Sequence, residues 1–310
     1  MPQTSKILRL GTRGSRLALA QAEMVKAALK REAGRDCELV VLKTTGDKIL
    51  DRPLADAGGK GLFTKELEDA LLRDKIDLAV HSMKDVPTAV PSGLAIAALL
   101  PREDPRDVFI SKKARMLKEL PQGARVGTSS VRRQALVSRA RPDVELSLLR
   151  GNVDTRLNRL EAGDYDAIIL ALAGLRRLGL DGRATTLLEP KNWLPALAQG
   201  AVGVEIRESD ANARAALAPL NDAATEIALA CERAFQAALD GSCRTPIGGL
   251  ATLSDSKLSF HGEVLSPDGK NSADTLFELA LGADPVGEAA RAGRDAGLKL
   301  KSRVAPWLKL

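Results

Sequence analysis

Short apolar runs alternate with helical periodicity along the first two hundred residues, and this alternation restricts the fold more than any other feature of the chain. The strand-like runs are 6–11, 38–44, 76–81, 94–100, 106–111, 124–127, 144–149 and 166–170. Helical patterns lie between them at 15–32, 62–73, 130–140 and 153–162. Such alternation is typical of parallel α/β sheets with helices on both faces. We therefore predict α/β lobes in this part of the chain.

Two proline-containing segments indicate where the chain crosses between two such lobes. Pro101 and Pro105 bound the first crossing, and Pro195 with the glycine-rich stretch 199–203 marks the return. Beyond residue 220 the pattern becomes a helix at 224–239, three alternating strands at 249–253, 257–265 and 274–281, and a closing helix at 284–303. Strands grouped beside two helices predict a small α+β domain with a three-stranded antiparallel sheet. The expected domains are 1–101 with 198–219, then 102–197, then 220–310.

Charge and composition limit the class of partner. The 310 residues carry a formal net charge of +6 and a pI near 9.3, which favours anionic partners. No dense run of Lys and Arg carries that charge, and aromatic residues make up only 3% of the chain. Both facts disfavour nucleic-acid and membrane-surface binding. Arginines in the predicted loops suit small carboxylates or phosphates better.

The N-terminal and cysteine patterns predict a cytoplasmic protein. The first residues lack the apolar stretch of a secretory signal, and no apolar run approaches the ~18 residues of a membrane helix. Three widely spaced cysteines and two histidines fit neither a disulfide framework nor a metal site. We therefore expect no membrane segment and no bound metal.

Three junctions between a predicted strand and a predicted helix share an arginine-bearing design. They read Thr12-Arg13-Gly14-Ser15, then Thr128-Ser129-Ser130-Val131-Arg132-Arg133, then Arg150-Gly151-Asn152 with Thr155 and Arg156 close behind. Free backbone N–H groups at helix N-termini attract anions, and arginine side chains bind carboxylates through two parallel hydrogen bonds. Ordinary capping by Ser or Thr would explain any single junction, but the threefold repetition favours an anionic ligand.

Residues 76–87 place an ionisable pair at the end of a strand. The apolar pattern that begins at Ile76 runs directly into His81-Ser82-Met83-Lys84-Asp85, and Pro87 ends it. Ligands bind at the carboxyl ends of strands in open α/β sheets, so Lys84 and Asp85 are candidates for chemistry. A strand that simply leaves the core into a polar turn is the alternative.

One glycine-rich stretch resembles a phosphate-binding loop, but the residues that follow it exclude that interpretation. In Gly58-Gly59-Lys60-Gly61, Leu62 and Phe63 follow where a Walker sequence requires Lys and Ser or Thr. The stretch is instead a mobile lid that carries Lys60, or a plain surface loop.

One of the three cysteines lies in a setting that favours reactivity. Cys243 occupies a small-residue turn beside Arg244, where a cation can lower the pKa of a thiol and make it a nucleophile. Cys231 lies on the apolar face of a predicted helix and Cys37 begins a predicted strand. We expect these two cysteines to be structural.

Taken together, these motifs resemble those of the hydroxymethylbilane synthase family, also called porphobilinogen deaminases. The matching stretches are Thr12–Gln21, Gly58–Leu67, Ala79–Pro87, Arg102–Asp107, Gly127–Gln134, Arg150–Leu157, Tyr165–Ala171, Gln199–Gly203 and Gly241–Gly248. They stand in the family's order and cover nearly the whole chain, while the last 60 residues match by layout more than by motif.

The resemblance implies a fold and a cofactor. It implies two periplasmic-binding-protein-like (type II) α/β lobes with mixed, mostly parallel sheets around a cleft, and a third domain that carries a cofactor cysteine. A dipyrromethane would be bound to Cys243 through a thioether. The enzyme would add four porphobilinogens head to tail with loss of ammonia, and hydrolysis would then release hydroxymethylbilane.

The resemblance also implies roles for residues and partners. Asp85 would be the catalytic carboxylate beside the pyrrole nitrogens, and Lys60 would belong to a mobile loop. Carboxylates of cofactor and substrate would be bound by Arg13, Ser15, Lys84, Ser129, Arg132, Arg133, Arg150, Arg156 and Arg177. His81 would be a structural hydrogen-bonding residue. The protein would be a monomer that passes its product to uroporphyrinogen-III synthase.

Two other functions remain open from the residues alone. A non-catalytic anion-binding module, such as a two-lobed solute receptor or a regulator's effector domain, would explain the arginines but gives Asp85 and Cys243 no role. Nucleic-acid binding is the more distant alternative, and salt-dependent binding to DNA or RNA would be its sign.

Overall fold

The computed structural model describes residues 7–48, 61–239 and 245–308. Their strands are β1 (Leu8–Arg13), β2 (Cys37–Leu42), β3 (Leu78–Ser82), β4 (Leu94–Leu99), β5 (Asp107–Ser111), β6 (Arg125–Gly127), β7 (Glu145–Ser147), β8 (Ala167–Ala171), β9 (Thr186–Leu188), β10 (Val202–Arg207), β11 (Ile247–Ser254), β12 (Lys257–Leu265) and β13 (Ser272–Ala280). Their helices are α1 (Arg16–Ala33), α2 (Thr45–Lys48), α3 (Lys65–Leu72), α4 (Val131–Ala140), α5 (Val153–Glu161), α6 (Leu172–Arg177), α7 (Ala211–Leu217), α8 (Ala223–Ala238) and α9 (Pro285–Val304).

The chain forms two compact units. The first is drawn from residues 1–49, 59–103 and 201–226, and the second from 50–58, 104–200 and 227–310. The three-domain division expected from the sequence stays a prediction. Within the described ranges, no helix is both long and apolar enough to cross a membrane.

A five-stranded mixed sheet organises the first unit, in the order β2-β1-β3-β10-β4. Strand β1 pairs in parallel with β2 and β3, whereas β10 pairs antiparallel with both β3 and β4. Four strands therefore run in one direction and β10 opposes them. Helix α1 packs on β1 and β3, with its predicted face buried at Ala22, Val25 and Leu29. Helix α1 begins after the N-cap Ser15 and ends at Gly34, whose φ of 62° suits glycine.

The second unit repeats this sheet pattern, in the order β7-β6-β8-β5-β9. Strand β6 pairs in parallel with β7 and β8, and β5 pairs antiparallel with β8 and β9. Again four strands share one direction. Helices α5 and α6 pack on β8, and apolar side chains such as Leu157 and Ile168 fill that interface. The predicted α/β lobes with mixed sheets, in which most strands share one direction, are confirmed, and their likeness to periplasmic binding proteins stays a prediction.

The C-terminal part of the second unit is the predicted three-stranded antiparallel sheet, in the order β11-β12-β13. Phe235 of α8 packs edge-to-face on Phe260 of β12, with ring centroids 4.9 Å apart. Gly293 lets α9 approach α8 closely, because a Cβ atom there would collide with the carbonyl oxygen of Cys231. The periodicity predicted each of these five elements within about two residues.

Strand β10 is the main element that the sequence did not predict. The glycine-rich stretch 199–203 contains the expected return crossing, because the chain passes from the second unit to the first between residues 200 and 201, but β10 begins directly after it at Val202 and lies between β3 and β4 in its sheet. Gly203 faces the sulfur of Met83, and a Cβ atom at this position would collide with that sulfur. Gly203 therefore serves close packing inside a sheet and not a turn, which is why the strand that contains it was not predicted. Strand β9 and helices α2, α6 and α7 were also not predicted.

A buried carboxylate joins the C-terminal sheet to the segment that precedes β10. Glu232 of α8 is fully buried, and its two oxygens accept hydrogen bonds from the backbone N–H groups of Ala251 (2.8 Å) and Ala198 (2.5 Å). Ala198 has a φ of 58°, a conformation that alanine rarely adopts. The hydrogen bond that the N–H of Ala198 donates to Glu232 stabilises this conformation.

Candidate functional site

A pocket lies in the first unit, at the carboxyl ends of β1 and β3. Its walls are Arg13, Ala18, Gln21, Phe63, Thr64, Val80, His81, Ser82 and Asp85. Because β1 and β3 are parallel neighbours, their carboxyl ends meet at one edge of the sheet. The fold therefore brings Arg13 and Asp85, which are 72 positions apart in the chain, into one pocket.

The turn that carries Asp85 is held against the start of β10. Residues Met83–Asp85 form a single 3₁₀ turn directly after β3. The Met83 N–H donates to the carbonyl oxygen of Ala201 at 3.1 Å, and the Met83 side chain is buried against Gly203. Asp85 itself is half-buried and lines the pocket. Its neighbour Lys84 is exposed.

Arg13, the last residue of β1, supplies a positive charge to the pocket. Its guanidinium carbon lies 4.1 Å from the ring centroid of Phe63, a distance typical of a cation–π contact. The Ser15 hydroxyl is directed to its own helix, because it accepts a hydrogen bond from the N–H of Ala18 at 3.3 Å. Gln21 and Ser82 hydrogen-bond to each other across the pocket, 2.9 Å apart.

Two buried carboxyl groups, those of Glu205 and Glu68, lie near His81 of the pocket wall. His81 Nε2 is 2.9 Å from Glu205 Oε2, and both side chains are buried. Glu68 of α3 is also buried. Burial raises the pKa of Glu68, and the negative charge of Glu205 raises it further.

In the second unit, Arg132 and Arg133 meet at one buried carboxylate. Arg132 Nη2 donates to Asp107 at 2.8 Å, and Arg133 Nη2 donates to the other oxygen of Asp107 at 2.7 Å. Trp193 Nε1 and Gln199 Nε2 also donate to Asp107, at 2.9 and 2.8 Å. Burial alone would raise the pKa of Asp107, but the two guanidinium groups outweigh it and hold that pKa far below its usual range.

Arg132 and Arg133 have further partners in the fold. Arg132 Nη1 donates to the carbonyl oxygen of Leu194 at 2.6 Å, and Arg133 Nη1 donates to that of Ile169 at 2.9 Å. Both side chains are less than a tenth exposed. In this structure the two arginines therefore hold their own unit together through Asp107, and the carboxylate-binding role expected for them stays a prediction.

The remaining predicted residues of the second unit follow other strands. Arg150 is buried, and Arg156 Nε donates to the carbonyl oxygen of Gly151 at 2.8 Å. Arg177 Nη2 donates to the carbonyl oxygen of Gly200 at 2.5 Å. Ser129 is half-buried and directly precedes Ser130, the N-cap of α4. Lys60 and Cys243 lie outside the described residues.

The structure adds residues that the sequence did not single out. Gln21, Phe63 and Thr64 line the pocket with Arg13, and Asp107 anchors the two arginines of α4. Gln21 stands on the predicted helix 15–32, one and a half turns after Ser15, so its position at the pocket end of that helix was a usable signal. Nothing local marks the Asp107 carboxylate as the partner of two arginines.

The two described cysteines are poor nucleophiles. Cys37 and Cys231 are both buried. Burial raises the pKa of the Cys37 thiol to about 11, and it raises the pKa of the Cys231 thiol even further. No cluster of three or more His, Cys, Asp or Glu side chains that could hold a metal ion occurs among the residues that the structure describes.

Fold and pocket together define an α/β protein whose parallel strands β1 and β3 bring a guanidinium and a carboxylate into one pocket. Two family models match the chain: "Porphobilinogen deaminase, dipyromethane cofactor binding domain" over residues 8–215, and "Porphobilinogen deaminase, C-terminal domain" over residues 227–302. The chain belongs to the porphobilinogen deaminase family.

Two curated relatives bear the same family name. The chain is 50% identical over 298 residues to the porphobilinogen deaminase of Syntrophobacter fumaroxidans, covering 96% of this chain and 95% of the relative. It is 51% identical over 305 residues to that of Nitrobacter hamburgensis, covering 97% and 95%. A periplasmic substrate-binding protein of an ABC transporter from Coxiella burnetii matches 71% of this chain and 94% of its own, with 15% identity and a TM-score of 0.45.

The donor set of the pocket fits a dipyrromethane group. A pyrrole offers an N–H donor and carries acidic side chains, so it needs a carboxylate acceptor near its nitrogen and cations near its periphery. Asp85 and Arg13 provide one of each within the same pocket. The amide of Gln21 and the hydroxyl of Ser82 add neutral donors beside them.

Proposed function

We propose that this protein is a hydroxymethylbilane synthase, which joins four porphobilinogen molecules head to tail with loss of ammonia and releases hydroxymethylbilane by hydrolysis. The observation that carries the proposal is the meeting of Asp85 and Arg13 in one pocket at the carboxyl ends of two parallel strands. Family membership supplies the reaction, and the pocket supplies groups of the right charge for it.

The role of Asp85 follows from the charge that the reaction creates. Loss of ammonia from the aminomethyl group of porphobilinogen leaves positive charge that the pyrrole nitrogen shares. A carboxylate beside that nitrogen accepts the N–H hydrogen bond and stabilises the charge as it develops. Because the 3₁₀ turn is fixed by Met83, the carboxylate of Asp85 needs little reorganisation during the reaction.

Arg13 binds and orients the carboxylates of the substrate. Each porphobilinogen carries an acetate and a propionate, so every addition brings two more negative charges to the protein. The guanidinium of Arg13 offers paired donors to such a carboxylate, and its stacking on Phe63 limits the positions it can take. The dipyrromethane, when bound, supplies the primer pyrrole to which the first porphobilinogen is joined.

The attachment of that cofactor through a thioether at Cys243 is part of the proposal. Two of the three cysteines in the chain are buried with raised thiol pKa values, which makes them poor nucleophiles. Cys243 is then the remaining candidate, and it stands beside Arg244 in the sequence.

The mass of the purified protein tests the attachment site. We expect the wild-type chain to carry the added mass of two pyrrole units, and the Cys243→Ser variant to carry none and to be inactive. Cys37→Ala and Cys231→Ala are the matched controls and should keep the added mass. A Cys243→Ser protein that retains the pyrrole mass would exclude this site.

Turnover of porphobilinogen tests the function itself. The proposal expects release of four molecules of ammonia for each hydroxymethylbilane formed. A non-catalytic anion-binding module would bind porphobilinogen without releasing ammonia. Failure of the wild-type chain with its pyrrole mass to release ammonia from porphobilinogen would reject the enzyme assignment.

The proposal extends to the oligomeric state, the location, the partner and the domains of the protein. We infer a monomer in the cytoplasm that passes its product to uroporphyrinogen-III synthase, and three domains with the third beginning near residue 220. The separate match of a C-terminal family model to residues 227–302 supports that last boundary. Sedimentation velocity of the purified protein tests the monomer.

A further inference from the structure

The backbone of Gly46 lies against the ring of Phe63, which is part of the pocket wall. Gly46 belongs to α2 and is buried. A Cβ atom at Gly46 would stand 2.5 Å from Cδ1 of the Phe63 ring and 2.9 Å from the carbonyl oxygen of Leu62, distances at which no side chain fits. Gly46 is not among the glycines with a positive φ, so its backbone conformation would suit other residues. Close contact with residues 62–63, and not backbone conformation, therefore requires a glycine here.

Three hydrogen bonds hold Gly46 in place beside the ring. The Gly46 N–H donates to the carbonyl oxygen of Leu62 at 2.8 Å. The N–H and the hydroxyl of Thr45 donate to Oε1 of Glu66, in α3, at 2.8 and 2.5 Å. A side chain at Gly46 could be accommodated by movement of α2 or of the ring, and movement of α2 would lengthen or break these bonds. We therefore expect the ring of Phe63 to move.

Movement of the ring would change the position of Arg13. The guanidinium carbon of Arg13 lies 4.1 Å from the ring centroid, and both side chains line the pocket. The edge of the ring would have to retreat by about 1 Å to reach ordinary van der Waals contact with a Cβ atom at Gly46, at 3.4 Å or more. A misplacement of that size in a group that positions the substrate can cost up to about 100-fold in rate. The contact thus connects a residue of α2 to the cation of the pocket.

We propose that Gly46 is a positioning residue for substrate binding, because its missing side chain lets the ring of Phe63 stand where it holds the guanidinium of Arg13. This inference rests on the proposed function for the role of Arg13 toward the substrate carboxylates. It assigns Gly46 no contact with the substrate, because Gly46 acts through the ring.

The substitution of Gly46 predicts a specific change in substrate affinity. In the full chain with its pyrrole mass, Gly46→Ala is expected to raise the KM for porphobilinogen about tenfold and to leave kcat within about threefold. Alanine has the higher helix propensity, so the loss would come from the collision with the ring and not from α2 itself. Gly182→Ala is the matched control, because a Cβ atom there would meet nothing within 4 Å and its φ is not positive. The control should leave KM unchanged.

A double-mutant cycle with Arg13→Ala separates this role from a purely structural one. The variant with both Gly46→Ala and Arg13→Ala should have the same KM as Arg13→Ala alone, since Gly46 acts only through the ring and Arg13. A structural fault would instead add its loss to that of Arg13→Ala, and additive losses would overturn the proposal.

A milder variant keeps the test open even if Gly46→Ala does not fold. Thr45→Val keeps the shape of the side chain and removes the hydroxyl bond to Glu66, which loosens α2 beside the ring. It should raise KM about threefold in the wild-type background and not in the Arg13→Ala background. Equal KM for Thr45→Val and the wild type would then overturn the proposal.

The position of Arg13 can also be measured without turnover. An aromatic ring moves the NMR signal of a proton that lies over its face upfield, and the Arg13 Nε–H signal of ¹⁵N-arginine-labelled protein is identified by its loss in Arg13→Ala. We expect this signal to move downfield in Gly46→Ala and in Phe63→Leu, and to stay in place in Gly182→Ala. A signal that Gly46→Ala leaves in place would reject the inference. Unchanged KM in Gly46→Ala with normal wild-type turnover would reject this inference alone, whereas absence of wild-type turnover would reject the proposed function.

Discussion

Asp85→Asn is expected to lower kcat by about 10³-fold while the protein stays folded, because the amide keeps the shape of the carboxylate and removes its charge. The half-buried side chain lines the pocket and is not a packing residue of the core, so its replacement leaves no cavity. The thermal midpoint should therefore stay within about 3 °C of the wild type. Ammonia release from porphobilinogen under saturating substrate measures the effect.

The split between kcat and KM distinguishes charge stabilisation from binding. In the role proposed for it, Asp85 stabilises positive charge that develops during the reaction, so its loss should lower kcat with little change in KM. Arg13→Ala should instead raise KM with little change in kcat, because the role proposed for Arg13 is to bind the substrate carboxylates equally in the ground state and in the transition state. Retention of more than about a tenth of the wild-type kcat in Asp85→Asn would remove Asp85 from the catalytic role.

Asp36→Asn is a suitable control for the charge change. Asp36 is exposed and pairs with Lys30 on the surface of the same unit, where an ion pair contributes little. The substitution makes the same change of one carboxylate to an amide away from the pocket. Unchanged kcat and KM in this variant would show that a general loss of negative charge does not explain the result for Asp85.

Local patterns predicted much of the fold but could not reveal contacts between distant segments. Helix α1 and the C-terminal sheet were correctly placed, because apolar periodicity is a property of the segment itself. Strand β10 was missed because its Gly203 imitates a loop, and only the packing of Met83 explains that glycine. Local patterns do not predict a residue whose type is determined by packing against a segment far away in the chain.

The residues of the candidate site were also predictable only where local position in the chain decides their place. The strand-end position of Arg13 and Asp85 followed from the carboxyl-end rule, and the structure brings both to one pocket. Arg132 and Arg133 satisfied the same rule, yet their guanidinium groups bind Asp107, about 25 residues earlier in the chain. A buried counter-ion has no local signature, so an arginine that binds substrate and one that holds the fold together look alike in a sequence.

Asp107→Asn is expected to be the most destabilising of the single substitutions considered, at about 3–5 kcal/mol, because it leaves two buried guanidinium groups without their counter-ion. Asp107 is fully buried and accepts four sets of hydrogen bonds, from Arg132, Arg133, Trp193 and Gln199. Urea unfolding at pH 7, followed by circular dichroism, measures the difference in the free energy of unfolding. Asp143→Asn, which removes an exposed partner of Arg141, is the control and should change this free energy far less.

The pH dependence of that difference tests its electrostatic origin. The pKa of Asp107 is depressed in the folded protein, so its carboxylate contributes stability that is fully present above the ordinary aspartate value of about 4 and is lost as the pH falls below it. The gap between wild type and Asp107→Asn should therefore be constant from pH 7 to pH 5 and should narrow as the pH falls from 4 towards 2. Titration of the other carboxyl groups is common to both proteins and cancels in the difference. A gap that stays the same down to pH 2 would mean that packing and neutral hydrogen bonds, and not charge, stabilise this part of the second unit.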